Sequence, residues 1–155
     1  MSESVSFSIE GMDELADALK TAIRYYPDVA AEALKKSAQK FSNQAKKQML
    51  EDIPTSTGQV VKGFRTSPVH GYGMYMDVDF LAENKSNPHF HLVENGHRVV
   101  IPYTKNKKPR KDGGRVVGWT PGYHSLDSVR ARYEGQIPED LEKTLTTVLG
   151  KAGLL

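Results

Sequence analysis

Residues 12–50 read MDELADALKTAIRYYPDVAAEALKKSAQKFSNQAKKQML, and the fold class turns on how this stretch divides. Met12, Leu15, Ala16, Leu19, Ala22 and Ile23 recur at i, i+3, i+4 and i+7, the spacing that gathers apolar side chains on one helix face. Asp13 and Glu14 in the opening turn complement the helix dipole. The period predicts a first helix from Met12 to about Tyr26. Pro27 lacks an N–H and suits the first turn of a helix, so a second helix is expected to begin there. Its apolar stripe is Ala30, Ala33, Leu34, Ala38, Phe41, Ala45 and Met49, with Lys35, Lys36, Lys40, Lys46 and Lys47 mainly on the other side. Over about 22 residues it would extend roughly 33 Å at the helical rise per residue. A stripe of Ala rather than Leu lets a neighbouring backbone come close, whether it belongs to the same chain or to another subunit.

Before this stretch, Val5, Phe7 and Ile9 alternate with Ser6 and Ser8, the period-2 pattern of a short strand ending at Gly11. After it, Pro54 to Gly58 is a turn-rich break. Val60 to Thr66 and Met74 to Phe80 then flank His70-Gly71-Tyr72-Gly73 and read as an antiparallel hairpin. Beyond Pro88 a short helix or strand is expected, closed by Asn95-Gly96, and then a strand through Val99-Val100-Ile101. From Tyr103 to Val116 hydrophobicity vanishes. Six cations there (Lys105, Lys107, Lys108, Arg110, Lys111, Arg115) face one acid, Asp112, which gives +5 locally and leaves −3 for the rest. With Pro109 and Gly113-Gly114 inside it, this stretch is expected to be a mobile basic loop that orders only against a partner. Leu126, Val129, Arg130 and Tyr133 suggest one or two amphipathic turns. Pro138 opens a last helix with Leu141, Leu145, Val148 and Leu149, ended by Gly150 and Gly153. The expected class is α+β: a small, mostly antiparallel sheet packed against two long N-terminal helices, with a C-terminal helix and a mobile basic loop.

Composition narrows the function classes. The 155 residues suit a single domain spanning 1–155, with the flexible loop at 103–116. Twenty-one Lys and Arg against nineteen Asp and Glu leave a net +2, which is no global polyanion footprint. The absence of cysteine excludes disulfides, thiol catalysis and Cys-ligated metals. Met1 to Ser8 is polar and acidic, unlike a secretory leader, and no apolar run reaches the roughly 20 residues of a membrane helix. A protein made in the cytoplasm, with no membrane partner, is expected.

The densest set of ligand-type side chains is His89, His91, Glu94 and His97. If Pro88 to Val93 were extended, His89 and His91 would share a face, and neutral imidazoles with one carboxylate suit zinc. No His-Glu-x-x-His helix accompanies them, and packing or interface histidines are the plainer reading. A Gly-x-Ser-x-Gly elbow is absent, and Gly71-x-Gly73 reads as a turn rather than a phosphate loop. No catalytic, cofactor or metal residue is assigned. The basic loop is the strongest pointer to a polyanion. Without interleaved aromatics it would contact DNA phosphates and read no bases. A solvated loop and an acidic protein partner stand beside that reading.

Segment order carries more than any single motif. A short strand, IEGMDELADALK, a long Ala/Lys helix, PTSTGQVVKGFRTS, then HFHLVENGHRV and GWTPGYHSLDSV resembles the tail-component family of lambdoid, Hong Kong-type siphophages and prophages. The likeness runs from about Val5 to Tyr133. It is marked by Gly11 and Leu15, Thr57-Gly58, His91, Val93, Glu94 and Gly96, and Pro121, Gly122 and His124. Gln59-Val60 and His97 depart from the family's usual residues. The resemblance implies tail completion, or head-to-tail joining: a small α+β subunit, without catalysis or cofactor, in a ring at the neck or the head-proximal end of the tail. Implied partners are further copies of itself and neck or tail-tube proteins, met in the host cytoplasm during assembly and then in the virion. Ring closure requires two different complementary surfaces and an element that orders on assembly. The Ala-rich helix, a docking edge along the His89 to Gly96 strip with His89, Phe90, His91 and Glu94, and the basic loop are the candidates, with Trp119, which ends the loop, as a further interface residue. For the loop, protein contact is favoured over lining a DNA passage, because lysines there would hold DNA rather than let it slide.

Overall fold

A computed structural model of the chain describes residues 11–53, 58–83, 85–103, 108, 111 and 113–155. The strand expected at Val5 to Ile9 lies outside these residues, as do Lys105, Lys107 and Arg110. The described elements are α+β, with a long N-terminal helix and small antiparallel sheets.

Residues 12–50 fall in one helix, α1 (Met12–Asp52, 41 residues), with Pro27 inside it. The expected division into two helices is corrected. An interior proline removes one backbone hydrogen bond and crowds the preceding turn, at a cost of about 3 kcal/mol. Breaking the helix there would instead orphan a full set of backbone groups at two new ends and require a second nucleation. The flanks also resist a break: Ala22 on one side and Val29 and Ala30 on the other are all buried. Gly11, at positive φ, starts the helix, and its carbonyl accepts from the Leu15 N–H at 3.0 Å.

The chain forms two compact units. Unit 1 comprises residues 1–37, 68–78 and 136–155. In it the first part of α1 packs with the C-terminal helix: Ala22 and Val29 bury Val148, and Ala152 and Leu154 lie against them. Ser37 Oγ donates to Asp140 at 3.3 Å, and the Lys151 ammonium sits 5.8 Å from the Tyr25 ring centre. Unit 1 also holds a hairpin of β2 (His70–Tyr72) and β3 (Tyr75–Asp77), with Tyr72 opposite Tyr75 across the turn Gly73-Met74. The tip side chains Tyr72, Met74 and Tyr75 are all exposed.

Unit 2 comprises residues 38–67 and 79–135. Ala45 and Met49 of α1 are fully buried against Val60 and Phe64, with Phe41, Phe80, Phe90 and Leu126 around them. β1 (Phe64–Thr66) pairs antiparallel with β4 (Phe80–Ala82), while β5 (Gly96–Ile101) pairs antiparallel with β6 (Arg115–Pro121). The expected hairpin therefore appears as two separate ladders, β1–β4 and β2–β3, and the single expected sheet as three two-stranded ones. Between Phe80 and Gly96 the chain forms α2 (Phe90–Asn95), which settles the helix-or-strand alternative there in favour of a helix.

Two C-terminal helices complete the described chain: α3 (Ser125–Glu134) in unit 2 and α4 (Ile137–Lys151) in unit 1. Gly150 lies within α4 and does not stop it. The end comes at Gly153, where the Leu154 N–H reaches back to the Leu149 carbonyl at 3.0 Å and the Gly153 N–H to that of Gly150 at 3.2 Å, a Schellman closure.

Candidate functional site

Two segments about thirty residues apart in sequence, His89 to Gly96 and Trp119 to Ser125, meet in unit 2. The Glu94 side chain is buried. Its Oε1 accepts from the Leu126 N–H at 2.8 Å and its Oε2 from the Ser125 N–H at 3.1 Å. The N-cap residue of α3, His124, provides no side-chain cap. Glu94 takes over that task from a distant element and adds negative charge at the positive end of the helix dipole. Backbone bonds close the same junction: Tyr123 N–H donates to the Val93 carbonyl at 3.0 Å and His124 N–H to the Glu94 carbonyl at 3.1 Å. Ser125, fully buried, donates its hydroxyl to Asp52 of α1 at 2.5 Å.

The strands pass so closely here that two glycines are required. A Cβ on Gly122 would lie 2.2 Å from the Glu94 carbonyl oxygen, and one on Gly96, at φ 79°, would lie 2.5 Å from that of Thr120. Val93, Glu94, Gly96, Pro121, Gly122 and His124, separate short motifs in the sequence, are thus parts of one junction. From it the β5–β6 ribbon extends. Gly96 faces Pro121 at its base, Arg98 faces Trp119, Val100 faces Val116 and Ile101 faces Arg115, with an irregularity between Val99 and Val100 that leaves Val117 unpaired.

The ribbon is wet on both faces. Val99, Val100, Ile101, Val116, Val117 and Trp119 are all exposed, Trp119 by 59% and Val116 by 54%. Two-stranded ribbons are marginal by themselves, and apolar residues on both sides of one make a surface that gains by being covered. Tyr103 and Tyr123, exposed near its two ends in sequence, add to it.

The candidate residues sort as follows. Trp119 and Arg115 lie on the exposed ribbon, and Lys108 and Lys111, also exposed, lie between its strands in sequence. Phe90 does not face outward: its ring meets Phe64 edge-on, with centroids 5.3 Å apart, in the core of unit 2. Glu94 is committed to α3. The proposed docking edge at 89–96 is therefore left with His89 and His91, both exposed. The extended conformation that would set those histidines on one face is absent, because Phe90 begins α2 and helical rotation turns positions two apart to opposite sides. Among the described residues no group of three or more His, Asp or Glu is placed to hold a metal ion. The His97 Nδ1 is buried with no hydrogen-bond partner among the described residues. The apolar ribbon faces are what residue-type scanning missed. Their signal was the β-branched run Val99-Val100-Ile101 opposite Val116-Val117, with no third strand in the sequence nearby to cover it.

No helix among the described residues is long and apolar enough to cross a membrane. Comparison with protein-family models, with curated proteins and with solved structures finds no match.

Proposed function

We propose that this chain is a structural assembly subunit of a phage virion, a tail-completion or neck protein that joins tail to head by forming a ring. The observation that carries the reading is the junction at Glu94. Six of the residues that mark the tail-component resemblance, Val93, Glu94, Gly96, Pro121, Gly122 and His124, meet there and hold the base of an exposed apolar ribbon that carries Arg98 and Arg115. A motif set that anchors an uncovered arm suits a subunit whose work is done by contact with neighbours. The reading assigns the chain no reaction and no cofactor. Its partners are further copies of itself and the neck or tail-tube proteins of the same particle.

The test is electron microscopy of lysates from a phage or prophage carrying the gene, with and without its disruption. Filled heads beside detached tails, or tails of aberrant length, are the expected result. Intact, infectious particles from the disrupted strain would remove the proposal.

A further inference from the structure

The charges of the chain divide unevenly between the two units. Unit 1 contains eleven acidic and six basic residues, a net −5, and unit 2 eight acidic and fifteen basic, a net +7. The overall +2 conceals this polarity. Each unit also leaves an apolar strip in water. On unit 2 it is one face of the β5–β6 ribbon, where Val100 pairs with Val116 and Trp119 with Arg98, and Arg115 lies on the opposite face. On unit 1 it is the opening of α1, where Met12, Leu15, Leu19 and Ile23 follow helical spacing and are all exposed, Ile23 by 73%. Asp13, Glu14 and Asp17 stand among them, as do Arg24 and Lys20, the latter paired with Asp17 at 2.9 Å. Scattered apolar side chains on a surface need no explanation, whereas a continuous exposed strip has the make-up of an interface.

We infer that these two strips are partners between copies: the β5–β6 ribbon of one molecule docks on the α1 opening of the next. The strips match in apolar character and the units that carry them oppose in charge, −5 against +7, while ribbon on ribbon would bring two basic units together and helix on helix two acidic ones. A contact between two different surfaces leaves each molecule one unused strip, so the assembly grows head to tail until it closes. One such narrow contact is weak. Closure makes the last contact intramolecular and multiplies the strength of all of them. The inference rests on the ring-subunit reading and specifies the surfaces that build the ring.

Sedimentation velocity on the full-length protein tests it, using a ribbon variant (Val116→Asp with Trp119→Asp) and a helix variant (Leu15→Asp with Leu19→Asp), with folding checked by circular dichroism. The wild type should associate as concentration rises. It should dissociate as salt is added, since the Debye length falls from about 10 Å at 0.1 M to about 3 Å at 1 M. Each variant alone should associate about thirtyfold more weakly or worse. An equimolar mixture of the two should form a dimer and stop, because only the intact ribbon of one can meet the intact helix of the other. A wild type that stays monomeric to sub-millimolar concentration, a variant that associates like wild type, or a mixture that stays monomeric would each overturn the pairing. If the ribbon variant fails to fold, Arg98→Glu, at an exposed position on the same face as Trp119, replaces it, with weakened association and the same rescue on mixing expected. The gene disruption tests the subunit role separately. Aberrant particles from a protein that never self-associates would discard the strip pairing and keep the role.

Discussion

Phe64 and Val148 lie at the centres of the two units, and their surroundings differ in kind. Phe64 meets Phe80 and Phe90 edge-on with centroids 5.1 and 5.3 Å away, and Phe80 meets Phe41 in the same way at 5.3 Å. Buried polar groups tie that core to its frame: Asn87 donates to the Val60 carbonyl, and Glu94 accepts from the start of α3. Among the described residues, Ala22, Val29, Ala152 and Leu154 stand around Val148, while Leu141 and Leu145 of the same helix and Leu15 and Leu19 of α1 are exposed. Interlocked rings and satisfied buried polar groups specify one arrangement, since any slip unpairs them. Small side chains bury little area and leave most of the apolar surface of their helices outside. Unit 2 has the interior of a finished domain, and unit 1 that of an element whose apolar surface is largely still to be used.

The largest break in this comparison should come from Phe64→Ala, which opens the aromatic cluster and should cost about 3–5 kcal/mol by urea denaturation. A loss below about 1 kcal/mol would show that the rings are not what holds unit 2 together. Glu94→Gln should cost about 2 kcal/mol, because one acceptor becomes an amide N–H facing a backbone N–H. Faster hydrogen exchange at the Ser125 and Leu126 amides would mark the site of damage, and unchanged exchange there would contradict the capping role. Val148→Ala should cost about 1.5 kcal/mol, the value of two buried carbons. Its exchange changes should fall in α4 and the first part of α1, and equal changes around Phe64 would mean that the two cores respond as one.

The smallest effects belong to charge pairs on unit 1. The hydrogen bond from Lys36, and its charge, hold the Glu32 carboxyl below the usual carboxylate range. A lowered carboxylate stabilises the fold above its ordinary pKa and loses that contribution as pH falls through the lowered value. The bond to Glu139 raises the Lys143 ammonium, whose contribution is present below the ordinary lysine pKa and is lost as pH rises through the raised one. Melting curves of Glu32→Gln and Lys143→Met should therefore lie slightly below wild type near neutrality. The first should converge with it in acid and the second in alkali. Both groups are fully exposed, so a large gap in either would point to a partner beyond these pairs.

Local periodicity made the helices legible, along with the turn at Gly73 and the apolar run after Gly96, since each is written within a few residues of itself. Pro27 misled because a rule about one residue was set against the cooperativity of forty. Leu15 and Leu19 share a face by spacing and yet are exposed, since spacing identifies an apolar face and does not say what covers it. Glu94 was harder still. Its neighbours suggested a ligand set, while its partners are backbone N–H groups thirty residues on that no pattern announces. The hint available was an α3 start at His124, whose side chain provides no cap.

The Glu94 junction has one more consequence. Because the ribbon is fastened at its base, at Gly96, Pro121 and Gly122, its register is set at that end rather than by the connection between Ile101 and Arg115. Closure entropy depends only weakly on the length of a connection, about 0.6 kcal/mol per doubling. An epitope or fluorescent tag placed between Ile101 and Arg115 should leave the fold undisturbed, which makes this connection the natural handle for labelling the protein where it works.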